Sequence, residues 1–92
     1  MQKIDVRGMG PHEWAVVVTE GEDTTSHRVT VSEELIDNLG IVDLDEERLV
    51  RESFEFLLER EPADAIRREF DLDVVSRYFP DYGGEIRARL GV

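Results

Sequence analysis

Four carboxylates fall within five residues at Asp43-Leu44-Asp45-Glu46-Glu47. Carboxylates at alternate positions are how a calcium-binding loop begins. Such a loop also needs a glycine at its sixth place and a bidentate glutamate at its twelfth, where this chain has Arg48 and Phe54. The carboxylates read instead as the capped, acidic first turn of a helix, whose unpaired amides favour negative charge. Asp71-Leu72-Asp73 has the Asp-x-Asp spacing of a phosphoryl-transfer element, but Arg67-Arg68-Glu69 before it is no buried strand, so helix capping is expected of the pair. His12 follows Pro11 in an expected loop, and His27 lies in an expected strand. No serine stands where it forms a recognisable triad with either histidine, and no His/Glu pair has metal-ligand spacing. Gly8-Met9-Gly10 lacks the flanking strand and helix that make a glycine-rich turn a phosphate cradle. The sequence therefore assigns no catalytic residue, no cofactor-binding residue and no metal ligand, and the expectation is a protein that is not an enzyme and carries no cofactor.

Two surfaces have residue types suited to binding. Arg77-Tyr78-Phe79-Pro80-Asp81-Tyr82 gathers three aromatics and an arginine around a helix break. These types are enriched at binding hot spots, although such a cluster is more often a corner where short helices meet the core. Arg77, Tyr78, Phe79 and Tyr82 are its candidate partner-binding residues. The second surface is acidic: Glu33, Glu34 and Asp37, with the 43–52 run, form a face suited to a basic partner, against the commoner reading of solvated charge. The net charge of −11 divides as −2 over residues 1–32, −8 over 33–61 and −1 over 62–92. That balance disfavours nucleic acid and anionic lipid, since binding either rests on Lys and Arg meeting phosphate.

The elements that must position these residues follow from periodicity and punctuation. Residues 14–19 and 25–31 read as strands joined by a polar loop, Glu20 to Thr24, with Ile4 and Val6 offering a third strand before a break at Gly8-Met9-Gly10-Pro11. His27, Val29 and Val31 point to one face, and Arg28 and Thr30 to the other. Ser32 is the expected N-cap of a short helix with Leu35, Ile36 and Leu39 on its buried face, stopped by Gly40 in the left-handed region. A capping box from Asp43 to Glu46 opens a longer helix to about Arg60, with Leu49/Val50, Ser53/Phe54 and Leu57/Leu58 at helical spacing. Beyond Pro62, Ile66 and Phe70 are spaced for one short helix. Asp71 or Asp73 caps another carrying Val74 to Phe79, and Tyr82, Ile86 and Leu90 mark a last helix weakened by Gly83-Gly84. The fold class is α+β: an N-terminal antiparallel hairpin of two or three strands on a bundle of short helices, in one domain spanning 1–92.

A strand, a capped helical turn and a longer helix over residues 28–60 resemble the ribbon-helix-helix proteins. That likeness implies a dimer pairing its strands, Arg28 and Thr30 as base readers, and amides near Leu44 and Asp45 as a phosphate clamp. Two features depart from it: four carboxylates stand where phosphate would bind, and the valine strand at 14–18 offers an intramolecular partner. The chain also resembles a group of small bacterial and archaeal hypothetical proteins through His27-Arg28-Val29-Thr30-Val31, the run Ser53 to Pro62, and Phe70-Asp71 with Arg77 to Tyr82. That likeness brings no activity with it. Without cysteine there is no disulfide framework. Without a leader-like apolar run at the start, or any apolar run longer than Trp14 to Val18, a cytoplasmic location away from membranes is expected. The expectation is a small acidic protein-interaction domain, monomeric, with an unknown and basic protein partner. The alternative is a divergent ribbon-helix-helix-like regulator or antitoxin.

Overall fold

A computed structural model describes residues 2–91. Its elements run β1 (Gln2–Gly10), β2 (Glu13–Glu20), β3 (Asp23–Thr30), α1 (Glu33–Leu39), α2 (Glu46–Leu58), a 3-10 turn (Ala63–Ala65), β4 (Glu69–Asp71), α3 (Asp73–Tyr78) and α4 (Tyr82–Arg89). The first three strands form an antiparallel meander, and β4 adds to β3 in parallel, giving the order β1-β2-β3-β4. The fold is α+β.

Alternation selects the inner face of the sheet. Val16 opposes Val6 and His27, and Val18 opposes Ile4 and Thr25, so these side chains share one face with Val29. Val16, Val18 and Val29 have no exposed surface, and each buried valine contributes about 1.5–3 kcal/mol. The other face carries Lys3, Asp5, Arg7, Ser26 and Arg28 to solvent. The third strand is realised in full: β1 continues through Gly8 and Gly10, with a register shift between them, where a break is expected from sequence. The β2–β3 connection is also tighter than the loop expected, because Glu20 pairs with Asp23 and Gly21 takes φ 60° in the two-residue turn.

Helix α2 is the hub, buried on two sides. Phe54 meets the rings of His27 and Phe70 on the sheet side. Phe56, about 200° further round the helix, is enclosed edge-on by Phe79 and Tyr82 and covered by the Arg60 guanidinium 3.6 Å from its ring centre. Polar ties hold other elements to this helix and to each other. Glu46 accepts Trp14 Nε1 at 3.2 Å and lies 2.7 Å from His12 Nδ1, pinning the β1–β2 turn to the first turn of α2. Arg51 donates to the Ile4 carbonyl at 2.7 Å, occupying part of the open edge of β1. Arg87 donates to the Leu39 carbonyl, joining α4 to the end of α1.

The caps of α1 are as the sequence predicts: Ser32 accepts the Leu35 amide, and Gly40 closes the helix at φ 60°. For α2 the start lies two residues later than expected. Asp45 rather than Asp43 is the N-cap, accepting the Arg48 amide at 3.2 Å, while Asp43 sits at φ 55° in the preceding turn. Glu46 does not reach back because His12 and Trp14 engage its carboxylate. The helix closes at Leu58. The largest difference follows Pro62, where Ile66 and Phe70 do not share a helix. Arg28 N–H donates to the Arg68 carbonyl and Leu72 N–H to that of Thr30, drawing Glu69–Asp71 onto the unfilled edge of β3. Asp71 fixes that strand by accepting from Thr30 Oγ1 and from the Asp73 amide, so it caps α3 from two residues away. Gly83 and Gly84 are accommodated within α4.

The buried Ser53–Tyr82 pair has a defined direction. Ser53 Oγ has one proton and donates it to the Leu49 carbonyl at 2.7 Å, so the Tyr82 hydroxyl is the donor in their 2.6 Å contact. Ser53→Ala orphans the buried tyrosine hydroxyl and should cost about 1–3 kcal/mol. Tyr82→Phe leaves Ser53 still bonded to Leu49 and should cost only about 1 kcal/mol. Urea unfolding at unchanged m-value measures both, and the opposite order would mean that the proton runs the other way.

Candidate functional site

A groove of about 240 Å³ opens where α2 ends against the 3-10 turn, β4 and α3. Leu57, Ile66, Phe70, Val74 and Val75 supply its apolar surface, with Phe79 and Tyr78 at one end. Each has a local origin. Leu57 sits in the last turn of α2, Ile66 follows the 3-10 turn set off by Pro62, and Phe70 is the middle residue of β4. Val74 and Val75 project from α3, which begins where Asp71 captures the Asp73 amide. Glu61 and Arg67 add charge to the lining, and among the described residues neither is in an ion pair. Tyr78 is 65% exposed, one of three large hydrophobic side chains left in solvent among the described residues. The volume suits one or two side chains of a partner better than a cofactor, whose pockets begin at about 300 Å³.

The residues singled out at the 77–82 corner separate. Tyr78 and Phe79 line the groove. Arg77 is exposed on α3 and is not part of the groove lining. Tyr82 has no exposed surface and belongs to the core, where burial pushes its hydroxyl up to about 12. The reason is the turn at Pro80 and Asp81, which swings the chain back over α2 and directs the tyrosine inward against Phe56 and Ser53. Glu33, Glu34 and Asp37 are all exposed on α1. Near the acidic run, Glu55 is raised above the ordinary carboxylate value, first by partial burial and then by its hydrogen bond with Glu52. The groove opens at the C-terminal end of α2 and the 43–47 carboxylates stand at its N-terminal end; at 1.5 Å per residue a 13-residue helix separates them by about 20 Å. The four carboxylates there do not converge: Asp45 caps, Glu46 binds the β1–β2 turn, and Asp43 and Glu47 are exposed.

His27 lies behind the groove. Its Nδ1 donates to the Arg67 carbonyl at 2.7 Å, so Nε2 is the lone-pair nitrogen that accepts from Thr25 Oγ1 at 2.8 Å. Burial holds its pKa below the ordinary value of 6.5; the bond to Arg67 opposes that shift, and the Arg68 charge reinforces it. Ile66 and Phe70 have the i, i+4 spacing of one helix face, and no motif in the sequence points to Glu61 or Arg67. Nothing in the spacing signals a three-residue strand, and the groove exists only because of it.

Comparison with protein-family models, with curated proteins and with solved structures finds no match to this chain.

Two outcomes follow from this geometry. Tyr78→Ala should change unfolding free energy by no more than about 0.5 kcal/mol, as for other surface side chains. Phe79→Ala, which removes the edge-on contact to Phe56, should cost about 2 kcal/mol. Paired urea titrations separate the lip of the groove from its wall. The second outcome concerns pH. A ring kept neutral by the fold contributes stability that is complete above pH 6.5, and this is lost as the pH falls below 6.5 toward the depressed folded value. The thermal midpoint of the wild type should therefore drop more than that of His27→Asn between about pH 7.5 and about pH 5.5. Equal drops would show that the ring is not held neutral.

Proposed function

We propose that this chain is a small acidic cytoplasmic protein-interaction domain, not an enzyme, whose groove takes an apolar anchor residue from a basic segment of a partner protein. The observation that carries this reading is the groove itself: an apolar floor beside the exposed Tyr78, with an unpaired Glu61 in its lining. A large aliphatic or aromatic side chain fills such a space, and excluding water around it is what makes an anchor strong. The chemistry of the partner follows from charge. With −11 overall and −8 between Glu33 and Glu61, the domain attracts lysine- and arginine-rich segments and repels acidic ones. Glu33, Glu34 and Asp37 act in this reading at a distance, raising encounter rate rather than gripping the bound partner. No helix among the described residues is long and apolar enough to cross a membrane.

The ribbon-helix-helix alternative requires β3 to pair with the same strand of a second copy. Here β2 runs along one edge of β3, and β4 takes the other over Arg28–Thr30. A monomer is therefore expected by light scattering at low and high salt, and a dimer surviving high salt would reopen the paired-strand reading.

Selection from a random peptide library against the immobilised domain tests the proposal. Enriched peptides should share one large apolar residue flanked by Lys or Arg. Val74→Glu, which puts a charge on the groove wall, should weaken them by about tenfold or more. No enrichment, or binding indifferent to Val74→Glu, would refute the groove as the site. Neutralising Glu33, Glu34 and Asp37 to the amides should slow association with little change in dissociation, as surface plasmon resonance can read.

A further inference from the structure

The two ends of the sheet differ. At one, β4 covers β3; at the other, β1 pairs with β2 alone and leaves an open edge along its nine residues. Alternation fixes which backbone groups that edge presents. The Arg28 amide and the Thr30 carbonyl bond toward β4, so Thr25, His27 and Val29 turn theirs toward β2. One strand further on, Ala15, Val17 and Thr19 face β1, where Arg7, Asp5 and Lys3 answer them. The N–H and C=O groups of Ile4, Val6 and Gly8 therefore point outward.

The Arg51 bond to the Ile4 carbonyl, 2.7 Å long, reaches this outward row. Among the described residues it is the one hydrogen bond made to these groups. An uncovered edge is a template for another strand, and native folds blunt it with bulges, charges or covering groups. The register shift between Gly8 and Gly10 disrupts the far end of β1. Over Ile4 to Gly8 the obstacle is Arg51, whose guanidinium stands where an incoming amide would bond.

We propose that this edge is a latent self-association surface with Arg51 as its gate. While Arg51 holds the Ile4 carbonyl the chain is a monomer; without that bond two copies pair β1 to β1, antiparallel about Val6. Charge selects the partner. Turned about Val6, Asp5 of each copy lies opposite Arg7 of the other, in the non-hydrogen-bonded pairs where side chains come closest. Val6, half-buried on the inner face, meets its own copy, and Ile4 meets Gly8. Turned about Asp5, like charges would oppose one another: Asp5 with itself and Lys3 with Arg7. Turned about Ile4, Lys3 matches Asp5, but the two α2 helices meet at one point, because Arg51 marks where α2 reaches the edge. About Val6 those points lie four residues apart, about 14 Å at the rise of a strand. Packed helix axes need about 8–10 Å. The pairing joins two four-stranded sheets with β4 outermost in each, so both grooves stay open to one bivalent partner. That consequence rests on the groove being the binding site; the edge pairing does not.

Light scattering on a sizing column over a range of concentrations tests the gate. Physiological salt suits it, since a Debye length of about 8 Å limits the repulsion between two chains of −11. The wild type should be a monomer. Arg51→Met, which keeps an apolar stem and loses the donors, should double in mass as concentration rises, and so should Arg51→Ala. Arg51→Lys, still able to donate to the Ile4 carbonyl, should not. Arg51 is half-exposed, so these variants should unfold in urea as cooperatively as the wild type. Amide exchange locates the contact: the Ile4, Val6 and Gly8 amides should gain protection in the Arg51→Met dimer. Adding Asp5→Arg to that variant should abolish the dimer, and adding Arg7→Asp as well should restore it. Folded Arg51→Met and Arg51→Ala that stay monomeric would overturn the gate, as would a wild type that dimerises equally well. A dimer without protection at Ile4 and Val6, or one that the Asp5 and Arg7 exchange does not break and restore, would overturn the pairing about Val6.

Discussion

Everything in this domain depends on burying one helix on two sides. A chain of 92 residues cannot build separate cores for a sheet and a helical layer, so α2 serves both. Phe54 closes the sheet side through His27 and Phe70, and Phe56 closes the opposite side through Phe79 and Tyr82. The two rings are two residues apart, a spacing that no single-faced amphipathic helix would bury. Once both sides are covered, the remaining elements have little freedom: β1 to β3 must present an apolar face, and α3 and α4 must fold back over α2.

The groove follows from the same constraint. Helix α2 closes at Leu58, but the sheet beside it continues because β4 joins β3, leaving space between Leu57 and Phe70 that α3 only partly fills. Arg60, stacked on Phe56 and bonded to Asp81 at 3.0 Å, secures the corner so that the space keeps its shape. Charge is distributed unevenly around this frame. The 43–47 carboxylates gather at the start of α2, where free amides favour them, and the groove lies at the other end.

Buried polarity is used sparingly and completely. Among the described residues no buried side-chain polar atom lacks a partner. Ser53 and Tyr82 satisfy one another across α2 and α4, and Thr25, His27 and the Arg67 carbonyl do so across β3 and the segment leading into β4. Each set joins elements distant in sequence, so a slip in docking would strand a polar group away from water. These contacts specify which packing forms, whereas the apolar residues supply the driving force.

Local order was legible in the residues themselves. Ser32 and Gly40 bound α1 because a hydroxyl acceptor and a left-handed glycine act within one helical turn. The alternation of His27, Val29 and Val31 against Arg28 and Thr30 marked the two faces around β3, since side-chain direction in a strand is set by parity alone. Phe54, Leu57 and Leu58 marked one side of α2 in the same way. What parity and spacing could not reveal was non-local: the second buried side of α2 at Phe56, the inward turn of Tyr82, and the shift of Asp43 out of the cap once Glu46 engaged His12 and Trp14. Above all, Phe70 sits at a spacing from Ile66 that suits a helix, yet it becomes a strand because β3 offers it an open edge 41 residues back, at Val29. The sequence by itself determined the elements whose hydrogen bonds close within a few residues, and the tertiary structure decided the groove, whose walls exist only when distant edges meet.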